Sequence, residues 1–220
     1  MNKEDFLNSL KYKQWLDSLI KEGNRIDKVD VLNSVHKSNG ESLFGLVKVD
    51  AITPEGKKLL PIALIRGHFV CILVCIKEKE SGEEFFLLVE QRRIADGSLF
   101  YEFPAGMCDS EADPQLVALK EMEEETGLKI QKKDLILLCE KGLHTSPGLL
   151  DEKGFFFACD LEMTTKELQS FHNRKTGAEE ENEHITTKLC KEDEVLRLIK
   201  NTNGYLLYFL YKHRKNAGNS

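Results

Sequence analysis

Four glutamates fall within five positions of this chain, Glu121, Glu123, Glu124 and Glu125, in the run KEMEEETGL that ends at Leu128. A helix turns about 100° per residue, because it has 3.6 residues per turn. Glu121, Glu124 and Glu125 stand at i, i+3 and i+4, so their carboxylates are neighbours on one face. Like charges at that spacing repel by roughly 0.2–0.5 kcal/mol per pair. Crowded carboxylates are the oxygen ligands that a hard dication takes. An acidic face of this kind, read alone, is more often simply solvated. Glu123 falls on the apolar side of the wheel and is assigned no chemistry.

The element that must carry these acids has a start and a stop. Asp113 is a capping residue, and Pro114 follows at the first helical position, where its missing N–H costs nothing. Gly127 takes the left-handed conformation easily and ends the last turn. The spacing predicts a helix over about 114–126, with Leu116, Leu119 and Met122 as its apolar stripe.

A loop ending in Gly106 precedes the helix, with Gly106 fourteen residues before Lys120. The stretch resembles the signature of the Nudix hydrolase family, Gly-x5-Glu-x7-Arg-Glu-U-x-Glu-Glu-x-Gly-U with U apolar. Gly106, Glu121, Met122, Glu124, Glu125, Gly127 and Leu128 match in register. Two positions depart: the first glutamate falls at Ala112, between Glu111 and Asp113, and the arginine is Lys120. A lysine offers a point charge where arginine offers a planar fork.

The resemblance implies a loop–helix–loop that binds a divalent metal and hydrolyses a diphosphate linked to another group. Pyrophosphate is dense negative charge, and a carboxylate cluster would repel it without a dication between them. By the resemblance Glu121, Glu124, Glu125 and the Ala105 carbonyl hold Mg²⁺, with Mn²⁺ as the alternative ion.

Composition sets the frame. The chain has 220 residues, 41% of them hydrophobic, enough for one core domain with an appendage. Its 31 basic and 37 acidic residues are well mixed and leave a net charge of −6, which argues against a general nucleic-acid binder. No apolar run is long enough to span a membrane, and the start MNKEDFLNSL is not of signal-peptide type. Six scattered cysteines, with no CxxC pair, read as free buried thiols of a cytoplasmic protein.

Along the chain, residues 5–22 read as one helix stopped by Gly23, with Trp15 as a packing residue. Period-two segments follow at 29–35, 42–52 and 59–65, separated by the turns Asn39-Gly40 and Pro54-Glu55-Gly56. The runs 69–76 and 85–90 read as central strands, followed by strands at 135–139, 155–160 and 184–189. The polar stretch 162–182 reads as a mobile loop or short helix, and helices at 192–201 and 205–212 close the chain.

Further motifs sharpen the resemblance. VEQRRIA is similar to the VEQxR element of ADP-ribose diphosphatases, and EFPAGM to their approach to the signature. Arg92 and Arg93 could meet phosphate oxygens as bidentate donors or pair with nearby acids, and the motif favours Arg93. Glu102 is either a second-metal ligand or water-positioning group, or the partner of Arg92 or Lys120. The run from Ser146 to Glu152 resembles the SPGxxxE loop of ADP-ribose and ADP-sugar diphosphatases, which implies Glu152 near the diphosphate. His144 reads as a loop hydrogen-bonder. Arg66, in the RGH element, joins the substrate-binding candidates. In the family a glutamate on a long loop ahead of a strand swings onto the attacking water. Glu183 fits that slot best and Glu181 second, against an acidic solvated loop.

The fold expected is α/β: the Nudix α/β/α sandwich with a mixed sheet, plus an N-terminal helix and small antiparallel sheet. The domains expected are 1–62, an N-terminal region for homodimerisation; 63–213, the hydrolase domain; and 214–220, a flexible tail. The substrate implied is a nucleotide sugar, ADP-glucose or ADP-ribose, with UDP-sugars as rivals. A Nudix-fold sensor that binds a nucleotide sugar without cleaving it is the alternative from another class.

Overall fold

A computed structural model of the chain describes residues 3–177 and 184–218. It divides into two units. The first comprises Met1–Phe69, Met107–Ala112 and Leu143–Gly154; the second comprises Val70–Gly106, Asp113–Gly142 and Phe155–Ser220.

In the first unit the expected single N-terminal helix is two, α1 (Lys3–Asn8) and α2 (Leu10–Lys21). Ser9 makes the break. Its hydroxyl donates to the Phe6 carbonyl and accepts from the Tyr12 N–H, so the side chain competes with the helical ladder and caps α2. Strands β1 (Arg25–His36), β2 (Ser42–Ile52) and β3 (Ile62–Ile65) form an antiparallel meander in the order β1-β2-β3. The third is shorter than its alternation suggested. Phe6, Tyr12, Trp15, Val31, Val47, Val49, Ala51 and Ile65 are its core, so Trp15 packs. Lys11 is buried, and its ammonium is satisfied by the carbonyls of Ser42 and Leu43 and by Asp109 at 2.8 Å.

Burial pushes the His68 imidazole down to about 4, with Lys153 and His144 adding to the effect. The folded chain keeps His68 neutral to about pH 4, whereas unfolded histidine protonates near pH 6.5. Its contribution is therefore complete above pH 6.5 and is lost as the pH falls toward 4. Chemical denaturation across that window should show a decline of up to about 3 kcal/mol from this group. A His68→Gln variant should show a flatter profile; parallel profiles for the two proteins would refute the assignment.

In the second unit β4 (Phe69–Glu78) lies between β5 (Glu84–Arg92) and β10 (Lys153–Met163), in the order β11-β12-β5-β4-β10-β8. The outer members are β8 (Ile136–Leu137), β11 (Lys175–Thr176) and β12 (Ile185–Cys190). Strand β6 (Leu99–Glu102) pairs with β5, and β7 (Ala105–Met107) with β4. The short β9 (Leu143–His144) pairs with Lys153 and Gly154, the first residues of β10, within the first unit. Positions 70–76 and 86–89 are buried without alternation, as strands covered on both faces must be. Helix α6 (Thr202–Gly218) covers one of those faces: Phe86 meets the rings of Tyr208 and Tyr211, and Tyr211 donates to Asp160.

Three expectations change. The strand expected at 135–139 is two residues long. The stretch 162–182 holds α4 (Thr165–Gln169), capped by Thr164, and β11. Residues 214–218, expected as tail, continue α6, where Lys215 lies 3.4 Å from Glu84. The helix before it, α5, spans Glu192–Leu198. All six cysteines are free, and among the described residues no helix is long and apolar enough to cross a membrane.

Candidate active site

The site in the second unit begins where β5 hands over to β6. The two pair antiparallel, with Val89 opposite Glu102 and Arg92 opposite Leu99. The connection folds back through hydrogen bonds between Arg93 and Ser98 and between Gly97 and Arg93. Arg93 donates from Nε to Glu102 at 2.6 Å. The other oxygen of Glu102 accepts from Asn201 Nδ2 at 2.5 Å. Glu102 is buried, and its partners are thus Arg93 and Asn201 rather than Arg92 or Lys120. Arg92 donates to the Gly97 carbonyl at 3.1 Å and supports the turn.

The helix expected at 114–126 starts as its caps dictate. Asp113 accepts from the Gln115 N–H at 2.9 Å, and Pro114 is the first helical residue. The regular part, α3 (Pro114–Glu121), then opens into a π-helical turn, Met122–Thr126, closed by Gly127 in the left-handed conformation. The apolar face also differs: Val117, Ala118 and Met122 are buried, whereas Leu116 is exposed. A π turn is wider than an α turn, so side chains after Glu121 leave the predicted wheel. The three glutamates consequently separate. Glu125 is 2% exposed and accepts from the Ala105 N–H at 2.9 Å. Glu121 lays its carboxylate on Gly106, where an added Cβ would sit 2.0 Å from Glu121 Cδ. Glu124 stays at the surface, 3.1 Å from Lys120.

Two carboxylates therefore converge on one peptide unit, Ala105–Gly106. Burial pushes the Cys71 thiol up, and the charges of Glu102 and Glu125 push it further. The π turn is anchored by Thr176, whose hydroxyl donates to the Glu125 carbonyl, and by Gly177, whose N–H donates to the Glu124 carbonyl. Among the described residues no three His, Cys, Asp or Glu side chains are gathered closely enough to hold a metal ion as they stand. The donor chemistry still fits a hard dication. Glu121 and Glu125 supply carboxylate oxygens beside a cradle that any side chain at 106 would fill.

The first unit carries a separate constellation. Arg66 forms an ion pair with Glu152, and Thr145 donates to Glu152 at 2.9 Å. Asp151 accepts from the N–H of Arg66 at 2.8 Å. Ser146 accepts from Leu149 and Leu150, which makes the Ser-Pro-Gly segment a turn. His144 is exposed on β9. Glu181 and Glu183 lie outside the described residues. Sequence reasoning missed Asn201, Asp151 and Thr176. Asn201 stands ahead of Thr202-Asn203-Gly204, a recognisable helix start, but its second bond is tertiary.

Residues 67–209 match the NUDIX domain family. Nudix hydrolase 14, chloroplastic, of Arabidopsis thaliana is 26% identical over 229 residues, which cover 97% of this chain and 74% of that protein. ADP-sugar pyrophosphatase of Mus musculus is 34% identical over 135 residues, 60% of this chain and 54% of the mouse protein. The solved crystal structure of an ADP compounds hydrolase superposes with a TM-score of 0.58 at 15% identity, covering 89% of this chain and 95% of the other. At that identity the likeness is one of fold: an α/β architecture of the same kind.

Proposed function

The chain belongs to the NUDIX domain family, and from that premise we propose that it hydrolyses the pyrophosphate of a nucleoside diphosphate sugar, releasing a nucleoside monophosphate and a sugar phosphate. The observation that carries this reading is the convergence of Glu121 and Glu125 on the Ala105–Gly106 peptide. ADP-glucose and ADP-ribose are the favoured substrates, supported by the SPG turn with Glu152 and by relatives named for ADP-sugars and ADP compounds.

Nudix hydrolases use divalent metal ions, here Mg²⁺ or Mn²⁺. Glu121, Glu125 and the Ala105 carbonyl would hold the ion, with Glu124 available once it leaves Lys120. When bound, a dication neutralises phosphate charge and acidifies water. Arg93 orients the diphosphate with the nitrogens that Glu102 leaves open. Glu183, or Glu181, accepts the proton of the attacking water, a role that typically contributes about 10²–10⁴-fold. Arg66 and Glu152 stay substrate-binding candidates on the strength of the motif resemblance.

The test is a panel of ADP-, UDP- and GDP-sugars with Mg²⁺, ranked by kcat/KM. AMP release from ADP-ribose or ADP-glucose supports the reading, and preference for UDP-sugars corrects the base. Tight binding without any nucleoside monophosphate would make the chain a sensor. We also propose a homodimer through the N-terminal sheet region, where Leu32, Leu43, Leu60 and Ile62 are exposed. Sedimentation at micromolar concentration should give twice the chain mass; a monomer alone would refute it.

A further inference from the structure

The segment that joins α5 to α6 leans on β6 residue by residue. Ile199 bridges Tyr101 in parallel. Lys200 donates to the Leu99 carbonyl at 3.3 Å and lies over the Phe100 ring. Asn201 reaches Glu102. Three consecutive residues thus track one strand, and the last of them touches the acid that holds Arg93.

The orientation of the Asn201 amide is fixed by what each end can do. Its Oδ1 accepts from the Gly204 N–H at 2.6 Å and caps α6. Its Nδ2 must then face the carboxylate, because an amide nitrogen only donates. A Cβ at Gly204 would stand 2.8 Å from Asn201 Oδ1 and 2.6 Å from Ile199 Cγ2, so glycine lets the amide come this close. Glu102 consequently has both oxygens committed and is 8% exposed. Among the described residues, Glu102 is the acceptor of the Arg93 hydrogen bond, and it uses Nε alone. The guanidinium is held by one edge while its terminal nitrogens keep their donors for an anion.

We infer that Asn201 is a positioning residue: by fixing Glu102 it aims the Arg93 guanidinium, and it couples the start of α6 to the phosphate-binding side of the site. The phosphate part of this inference rests on the diphosphatase reading; the clamp itself does not.

The test separates capping from aiming. Asn201→Ser keeps a good helix cap but is too short to reach Glu102. Asn201→Asp keeps both the cap and the shape, yet places a carboxylate against a carboxylate. Asn201→Ser should lower the thermal midpoint only slightly, and Asn201→Asp more, because it sets two carboxylates together in a buried site. In ¹⁵N NMR the Arg93 Nε–Hε proton should exchange with water about tenfold faster in Asn201→Ser than in the parent, the scale of one charge-assisted hydrogen bond. In AMP release from ADP-ribose with Mg²⁺, Asn201→Ser should lower kcat/KM about tenfold. Asn201→Asp should lower it further. The same change in an Arg93→Ala background should cost less than about twofold, because coupled residues are not additive. Unchanged Arg93 exchange, or equal losses in both backgrounds, overturns the inference. If the parent releases no AMP while the exchange difference stands, the diphosphatase reading has failed and the clamp has not.

Discussion

Gly106→Ala should abolish most turnover while leaving the chain folded. The added Cβ would stand 2.0 Å from Cδ and 2.1 Å from Oε1 of Glu121, distances that no pair of heavy atoms tolerates without a bond. The atoms in the way belong to the far end of a side chain, so the relief is to push the Glu121 carboxylate off its cradle rather than to move the backbone. A displacement on the order of 1 Å at a catalytic group costs about 10²-fold, and a displaced metal ligand should cost at least that. The check is kcat/KM for AMP release from ADP-ribose, with the thermal midpoint as control. A double-mutant cycle identifies the cause: once Glu121 is alanine, adding Gly106→Ala should change little further. If Gly106→Ala retains most of its activity, or adds its full loss to Glu121→Ala, the close approach does not matter to function.

Glu125→Gln should be comparably damaging for a different reason. The carboxylate is 2% exposed and accepts from the Ala105 N–H at 2.9 Å. Glutamine preserves that acceptor and the volume, so packing and the hydrogen bond survive. What it removes is one buried negative charge. Structurally this should be neutral or mildly stabilising, since an anion kept from water is expensive unless something offsets it. For a metal-dependent hydrolase the same charge is essential. Loss of several kcal/mol of transition-state stabilisation corresponds to about 10²–10⁴-fold in kcat/KM. A second readout does not depend on turnover. Magnesium should raise the midpoint of the parent protein, by about 2.7 kcal/mol of stability at a hundredfold excess over Kd, and should raise that of Glu125→Gln much less. Equal magnesium shifts in both proteins would refute the ligand assignment for Glu125.

Much of the frame was legible before the structure. Ser42–Ile52 forms the strand its alternation predicts, and the unbroken apolar runs at 70–76 and 86–89 lie inside the sheet. Asp113, Pro114 and Gly127 punctuate the acidic helix as their backbone preferences require. These features are local, or depend only on whether a residue can leave water. Errors came where a side chain competes for the backbone or a second element intervenes. Ser9 splits a helix that periodicity joined, because its hydroxyl bonds backbone groups on both sides. The stretch 162–182 is polar in sequence, yet it supplies β11 and the Thr176 anchor of the π turn.

The amino-acid order by itself determined the chemistry available: three glutamates in a fixed register after Ala105-Gly106, bounded by a cap and a glycine, within a chain of the NUDIX domain family. Only the tertiary structure decided where each carboxylate faces. A helical wheel assumes a constant turn, and Met122 and Thr126 are drawn into the core by a wider one, with the Thr126 hydroxyl bonded to the Met122 carbonyl. That turn carries Glu125 inward to Ala105 and leaves Glu124 outside with Lys120. In the same way Arg93 is aimed by Glu102 and Asn201, residues brought together by strand pairing and by the start of the last helix. Spacing along the chain can name donors and acceptors; which of them meet is set by how the elements between them pack.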